Sequence, residues 1–254
     1  MKNFMWIFKH YFKRNFFNLS NYLLIGLPLI FTAAFTLTAN FVAGLETDGD
    51  ATPFVTLFLG MTVPIGIGFT FFGADLTTGW LHEDLKGPTG SRLRASGIDE
   101  RIFYLGVISA SWLFNLVMAG VFVAITSLVP FFGTDWHNYI FVAIAVALVV
   151  MVVQLLGVLI FYFTKDKKTA GKVGYVFGEI MIGIAMLPMF VESFNLPTVV
   201  QRIFEFFPVG VAVNAIESTS FALALPYFGI LLAMVGVMAV VVIIVGRSKG
   251  HDRI

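Results

Sequence analysis

Residues 139–168 read YIFVAIAVALVVMVVQLLGVLIFYFTKDKK. From Tyr139 to Phe163 there is no charged side chain, and then Lys165, Asp166, Lys167 and Lys168 follow at once. About 20 apolar residues in a helix cross the hydrocarbon core of a bilayer. This run is long enough, and it stops where charge begins. Five more runs of the same kind flank it, at 21–43, 54–77, 104–131, 173–191 and 223–245. The expectation is an all-α integral membrane protein, with six transmembrane helices in a single transmembrane domain over 1–254.

Composition agrees. The chain is 58% hydrophobic and only 12% charged, whereas soluble domains carry about 25% charged residues. Mean hydropathy is +0.91. The net charge of +1 leaves no basic footprint for nucleic acid. There are no cysteines, which excludes disulfides, thiolate metal ligands and a cysteine nucleophile. Lys2, Lys9, Lys13 and Arg14 interrupt the first twenty residues, so no cleavable signal peptide is expected.

The placement of charge says more than its sum. Of the 16 Lys and Arg residues, all but Arg202 fall in the N-terminal segment, the 78–103 loop, the 164–172 loop or the tail. The alternate segments carry acids instead: Glu46, Asp48 and Asp50; Asp135; and Glu192, Glu205 and Glu217. Basic loops stay cytoplasmic. Both termini are therefore expected in the cytoplasm, with the protein crossing the plasma membrane of a bacterial cell.

Three segments are not simple spans. Within 1–20, Phe4, Ile7, Phe8, Tyr11 and Phe12 recur at helical spacing, with Lys9 and Lys13 elsewhere on the wheel. This reads as an amphipathic interfacial helix; the bland alternative is a basic flank that orients the first span. The loop EDLKGPTGSRLRASGIDER (83–101) suggests a short helix around 89–95, with Asp99 and Glu100 opening the next helix. The outer segment 192–222 is apolar yet broken by Pro197 and Pro208. It reads as a re-entrant helical hairpin, centred on 195–215, or as a flat surface helix.

Catalytic signatures are missing. The four histidines are scattered, and no phosphate-binding loop or nucleophile motif occurs. No catalytic residue, metal site or cofactor is expected in this chain. Gly66 and Gly68 beside Pro64 suggest helix packing or a bend. Asp75, at the cytoplasmic end of the second span, and Glu179, about two turns into the fifth, are candidate functional sites as ionisable groups in or near the membrane. The bland readings are a helix-end cap or a basic partner for Asp75 and a structural hydrogen bond for Glu179. Asn115 and Gln154 suit hydrogen bonds between helices.

EDLKGPTGSRLRASGI resembles the E-x-x-x-G-T-x-x-x-L-x-A-S-P-I pattern of type-two ABC exporter permeases, at Glu83, Gly87, Leu93, Ala95, Ser96 and Ile98. Pro88 stands for the usual Thr, and Gly97 for the usual Pro. A second stretch, with Pro188, Pro197, Phe207 and Pro208, is similar to the family's region after its fifth helix. The resemblance implies a permease that pairs with a second copy, as homodimer or heterodimer. It also implies docking on two copies of a separate ABC ATPase, which binds ATP and Mg. Residues 83–97, with Lys86, Arg92 and Leu93, would form the coupling helix, and the interfacial helix would lie nearby. Glu179, Pro188, Pro197, Arg202, Phe207 and Pro208 become candidates for pathway or gate. Spans rich in Phe, Met and Leu favour export of an amphipathic or lipophilic substrate: an antimicrobial or cytolytic peptide, a drug or a lipid-like molecule. The alternative is an ion- or proton-coupled secondary transporter of hydrophobic compounds.

Overall fold

The computed structural model describes residues 2–45, 61–87, 97–129, 138–187 and 205–251, with isolated positions at Gly90, Ala95, Pro197, Val199 and Arg202. Among these residues the chain is helical throughout and has no strand. Helix α1 spans Lys2–Phe17 and α2 spans Leu23–Leu45, joined by a 3-10 turn, Leu19–Tyr22. Next come α3 (Thr62–Phe69), a 3-10 segment (Thr70–Gly73) and α4 (Ala74–Leu85). The rest are α5 (Glu100–Leu128), α6 (Tyr139–Phe163), α7 (Lys167–Ala185), α8 (Pro208–Glu217) and α9 (Phe221–His251).

Side chains cap several starts. The Asp99 carboxylate accepts from the Arg101 N–H at 2.8 Å, and Asp166 accepts from Thr169 N–H at 2.8 Å. Asn138 does the same for Phe141 at 3.3 Å. Each satisfies a donor that the helix leaves unpaired at its N-terminus.

Among the described residues, four stretches are long and apolar enough to cross a membrane: Leu19–Phe41, Glu100–Leu128, Tyr139–Phe163 and Phe221–Ser248. The chain is thus a helical membrane protein with several crossings. Burial separates their roles. Of the most apolar stretch, 67% is buried in α6 but only 11% in α9. Helix α6 is the central post, packed by α4, α5, α8 and α9, whereas α9 shows aliphatic side chains outwards along most of its length.

The expected spans 54–77 and 173–191 are not among these four, and the helices found there have different boundaries. Residues 54–60 and 188–191 lie outside the described residues. The helix expected to end at 77 continues to Leu85, so Asp75 stands in the first turn of α4 and does not cap a helix end. Helix α7 starts at Lys167 rather than 173, because Asp166 caps it there. In the outer segment, Pro208 occupies the first turn of α8, where a missing N–H is harmless. Most of the hairpin expected before it, 195–204, lies outside the described residues. Gly66 and Gly68 serve packing: a Cβ on Gly66 would stand 2.3 Å from the Phe122 ring.

Further along, the backbone ladder changes at Thr70–Gly73. There the Ala74 N–H bonds to the Phe71 carbonyl, which frees the Thr70 carbonyl from its usual i+4 donor. The Asn115 side-chain amide, from α5, donates to that carbonyl at 3.0 Å. From α6, Gln154 donates to the Gly73 carbonyl at 3.3 Å and accepts from the Thr77 hydroxyl at 2.6 Å. Both amides are buried. A Cβ on Gly73 would stand 2.0 Å from Asn115 Nδ2, and one on Gly157 would stand 2.5 Å from the Ala74 carbonyl. Glycine at both positions lets three helices meet at the break.

Asn115→Leu and Gln154→Leu should therefore each lower stability by about 1 kcal/mol, since a buried hydrogen bond between helices is lost. Gly73→Ala should cost more, because a side chain must move as well. Thermal unfolding in detergent tests this; unchanged melting in both Leu variants would mean that the amides hold nothing.

Candidate functional site

The ends of α4 and α6 and the starts of α5 and α7 meet at one end of the bundle. Leu81, Phe103 and Phe161 form a buried cluster there with Ile7 and Tyr11 of α1, and Val242 of α9 packs against it. Helix α1 crosses this end. Ile7 seats against Gly106 of α5, where a Cβ would stand 2.5 Å from Ile7 Cγ2. The apolar face expected to lie in lipid is thus spent on protein: Ile7, Tyr11 and Asn15 are all buried, and Phe8 and Phe12 pack on the same cluster. Phe4 stacks on Phe8, while Lys9 and Lys13 point outwards.

Behind α1 lies a knot of charge. Arg14 donates through Nη1 to Asp84 at 2.6 Å and through Nη2 to Glu83 at 2.6 Å. Tyr11 donates its hydroxyl to Asp84 at 2.5 Å. Lys167, the first residue of α7, donates to the other Glu83 oxygen at 2.9 Å. The Arg14 guanidinium lies 4.0 Å from the centre of the Trp80 ring, whose N–H donates to Asn15 at 2.6 Å. Three helices, α1, α4 and α7, are joined through these groups.

The two carboxylates differ. The Asp84 side chain is only 8% exposed and Glu83 is 43% exposed. The hydrogen-bonded Lys167 ammonium, with Arg14 behind it, holds the Glu83 carboxyl below the ordinary carboxylate range. Burial first, and then the hydrogen bond to Asp84, push the Tyr11 phenol up. It therefore stays a neutral donor at any pH the protein meets.

Two residues on, Lys86 donates to the carbonyls of Phe161, at 3.3 Å, and of Thr164. A cation at the C-terminus of α6 is favoured by the helix dipole. The Thr164 hydroxyl gives its only proton to the Ile160 carbonyl at 2.6 Å, so His82 Nε2, 2.8 Å from that hydroxyl, is the donor.

The expected coupling residues are placed in part. Glu83 lies in the last turn of α4, and Lys86 and Gly87 directly follow it. Ala95 is exposed and Ile98 packs against α1's cluster. Arg92, Leu93 and Ser96 lie outside the described residues, as does most of the helix expected around 89–95. Gly97 takes φ of 69°, a turn closed to the proline that the family pattern has there. Pro188 is outside the described residues, Pro197 and Arg202 are exposed, and Phe207 precedes α8 and packs on the main core.

Glu179 stands on the outward side of α7, exposed beside Tyr175, Val176 and Ile180. It lies about 18 Å along the axis from Lys167, at 1.5 Å per residue. Asp75 faces α7 with its Oδ1 3.6 Å from where a Cβ on Gly171 would stand.

Sequence reasoning singled out Glu83 but missed Asp84, Arg14, Trp80 and Lys167 as its partners. The available signal was local: Glu83 and Asp84 are adjacent acids just past a span, on the side where nearly all the bases lie.

Arg14→Ala leaves a buried carboxylate without its cation, and should cost about 3 kcal/mol. Glu83→Gln removes a half-exposed partner and should cost about 1 kcal/mol or less. Glu83's contribution is present above the ordinary Glu range, about 4.3, and is lost as pH falls through its lowered value. Melting should therefore fall below about pH 4.5 in the wild type, and less steeply in Glu83→Gln. Equal acid dependence in the two proteins would remove Glu83 from the knot's energetics.

No family model, no curated protein and no solved structure matches this chain.

Proposed function

We propose that this chain is the membrane subunit of an ATP-driven ABC exporter, moving an amphipathic or lipophilic substrate out of the cell. In this reading the protein crosses the membrane six times with both termini cytoplasmic. The α3–α4 segment and α7 supply the two crossings beyond the four apolar ones. A separate ATPase, in two copies, drives a pair of permeases through residues 83–97.

The observation that carries this reading is the path from Glu83 to α7. Glu83 sits where α4 runs out into the 83–97 segment, and its carboxylate holds the first residue of α7. A displacement of 83–97 pulls on Lys167, and so on the helix that presents Glu179. The exposed side of α9 is aliphatic and suits lipid. The exposed side of α7 is mixed: Lys172, Tyr175 and Glu179 stand beside Val176 and Ile180. A carboxylate at that depth is costly against hydrocarbon, which favours a second permease copy or a substrate path along α7. The resemblance of residues 83–98 to the coupling segment of exporter permeases supports the same assignment.

A secondary transporter is the other reading, and Asp75 and Glu179 favour it, as acids within the spans. The energy source separates the two. Glu83→Gln should uncouple ATP hydrolysis from export while membrane insertion is retained, and Glu179→Gln should reduce transport more than expression. The chain should co-purify with an ABC ATPase whose activity rises with peptides, drugs or lipids. Transport that persists without ATP and stops when the proton gradient is dissipated would overturn the export reading.

A further inference from the structure

Helix α1 has a second face that neither its packing nor the charge knot uses. Met5, Lys9, Lys13 and Phe17 recur every four residues, so they form one row along the helix. Trp6 and Phe16 flank it. All six side chains are exposed, Trp6 at 62% and Phe17 at 76%. The opposite face is buried against α5 and α4, as described above. The row is therefore two lysines set among large apolar and aromatic side chains, turned away from the protein.

Its position is constrained. Only Asn18 and the 3-10 turn Leu19–Tyr22 separate α1 from α2, whose span begins at Leu19. Leu19 and Leu23 are exposed at 83% and 56%, so the apolar surface of α2 continues onto the end of α1. That places the row at the bilayer boundary. Rings sit well at headgroup depth, and a lysine stem lies along apolar surface while its ammonium reaches polar groups. Lys13 shows this geometry, with Nζ 5.7 Å from the centre of the Phe17 ring. Helix α1 contains no acidic residue. The carboxylates nearest to it, Glu83 and Asp84, are held on its other side by Arg14, Lys167 and Tyr11. Among the described residues no carboxylate pairs with Lys9 or Lys13.

From this we infer that the outward row of α1 is a binding surface for anionic phospholipid headgroups, with Lys9 and Lys13 as the phosphate-binding cations and Trp6, Phe16 and Phe17 as the interfacial anchor. This surface needs only the membrane placement of α2, whatever the protein carries.

Trp6 is the built-in probe. The full-length protein is reconstituted into bilayers of phosphatidylcholine and phosphatidylglycerol, with one lipid brominated at a time. The Trp6 component of quenching is the difference between wild type and Trp6→Phe. Brominated phosphatidylglycerol should quench it beyond its mole fraction, with an enrichment of roughly fivefold per lysine. Lys9→Gln/Lys13→Gln should lose that enrichment while quenching by either lipid persists, and Lys9→Arg/Lys13→Arg should keep it. High salt should weaken it in the wild type. Equal quenching by the two lipids in the wild type would overturn the anionic preference. Absence of quenching by either would show that this face is off the bilayer, covered by protein or facing solvent, and would overturn the assignment entirely.

Discussion

The break at Thr70–Gly73 is the constraint on which the rest of the bundle depends. A helix in hydrocarbon must satisfy its own backbone, because no water is there to do so. Here the ladder changes at Ala74, and the Thr70 and Gly73 carbonyls accept additional bonds from the side chains of Asn115 and Gln154. Those hydrogen bonds fix α5 and α6 at defined heights and faces relative to the break. The close approach at Gly73 and Gly157 leaves little room to slide. With the upper end of α4 set in this way, its lower end must arrive where Trp80, Glu83 and Asp84 meet α1 and α7.

At that lower end the energetics are uneven. Asp84 is nearly buried and is shared by a phenol and a guanidinium, so it is tolerable only while both are present. Glu83 is half exposed and its contacts are weaker, yet of these two acids it is the one paired with α7. The more buried acid thus holds α1 in place, and the more exposed one carries the link between helices. A strong anchor beside a weak tie suits a region that must stay assembled while one element is displaced.

Much of this could be read from residue order, and the reasons for the rest are physical. The charge asymmetry was legible because Lys and Arg cannot be left in hydrocarbon; Arg14, Lys86, Arg101 and Lys167 do gather at one end. The roles of Asn115 and Gln154 followed from isolated amides in apolar runs. Their targets did not, since nothing in Thr-Phe-Phe-Gly marks a change of ladder; the break is imposed by neighbours. The buried face of α1 was visible as periodicity, but periodicity does not say whether lipid or protein covers it. Pro208 marked a boundary in the outer segment, and the structure shows it as the start of a short helix.

The donors that complete the break come late in the chain. Residues 62–85 are synthesised before Asn115, and well before Gln154. Until α5 and α6 have joined it, the Thr70 and Gly73 carbonyls lack the side-chain donors that fix this segment against its neighbours. A nascent chain ending before Asn115 therefore has the break in its sequence but nothing yet to set its height against the helices that follow.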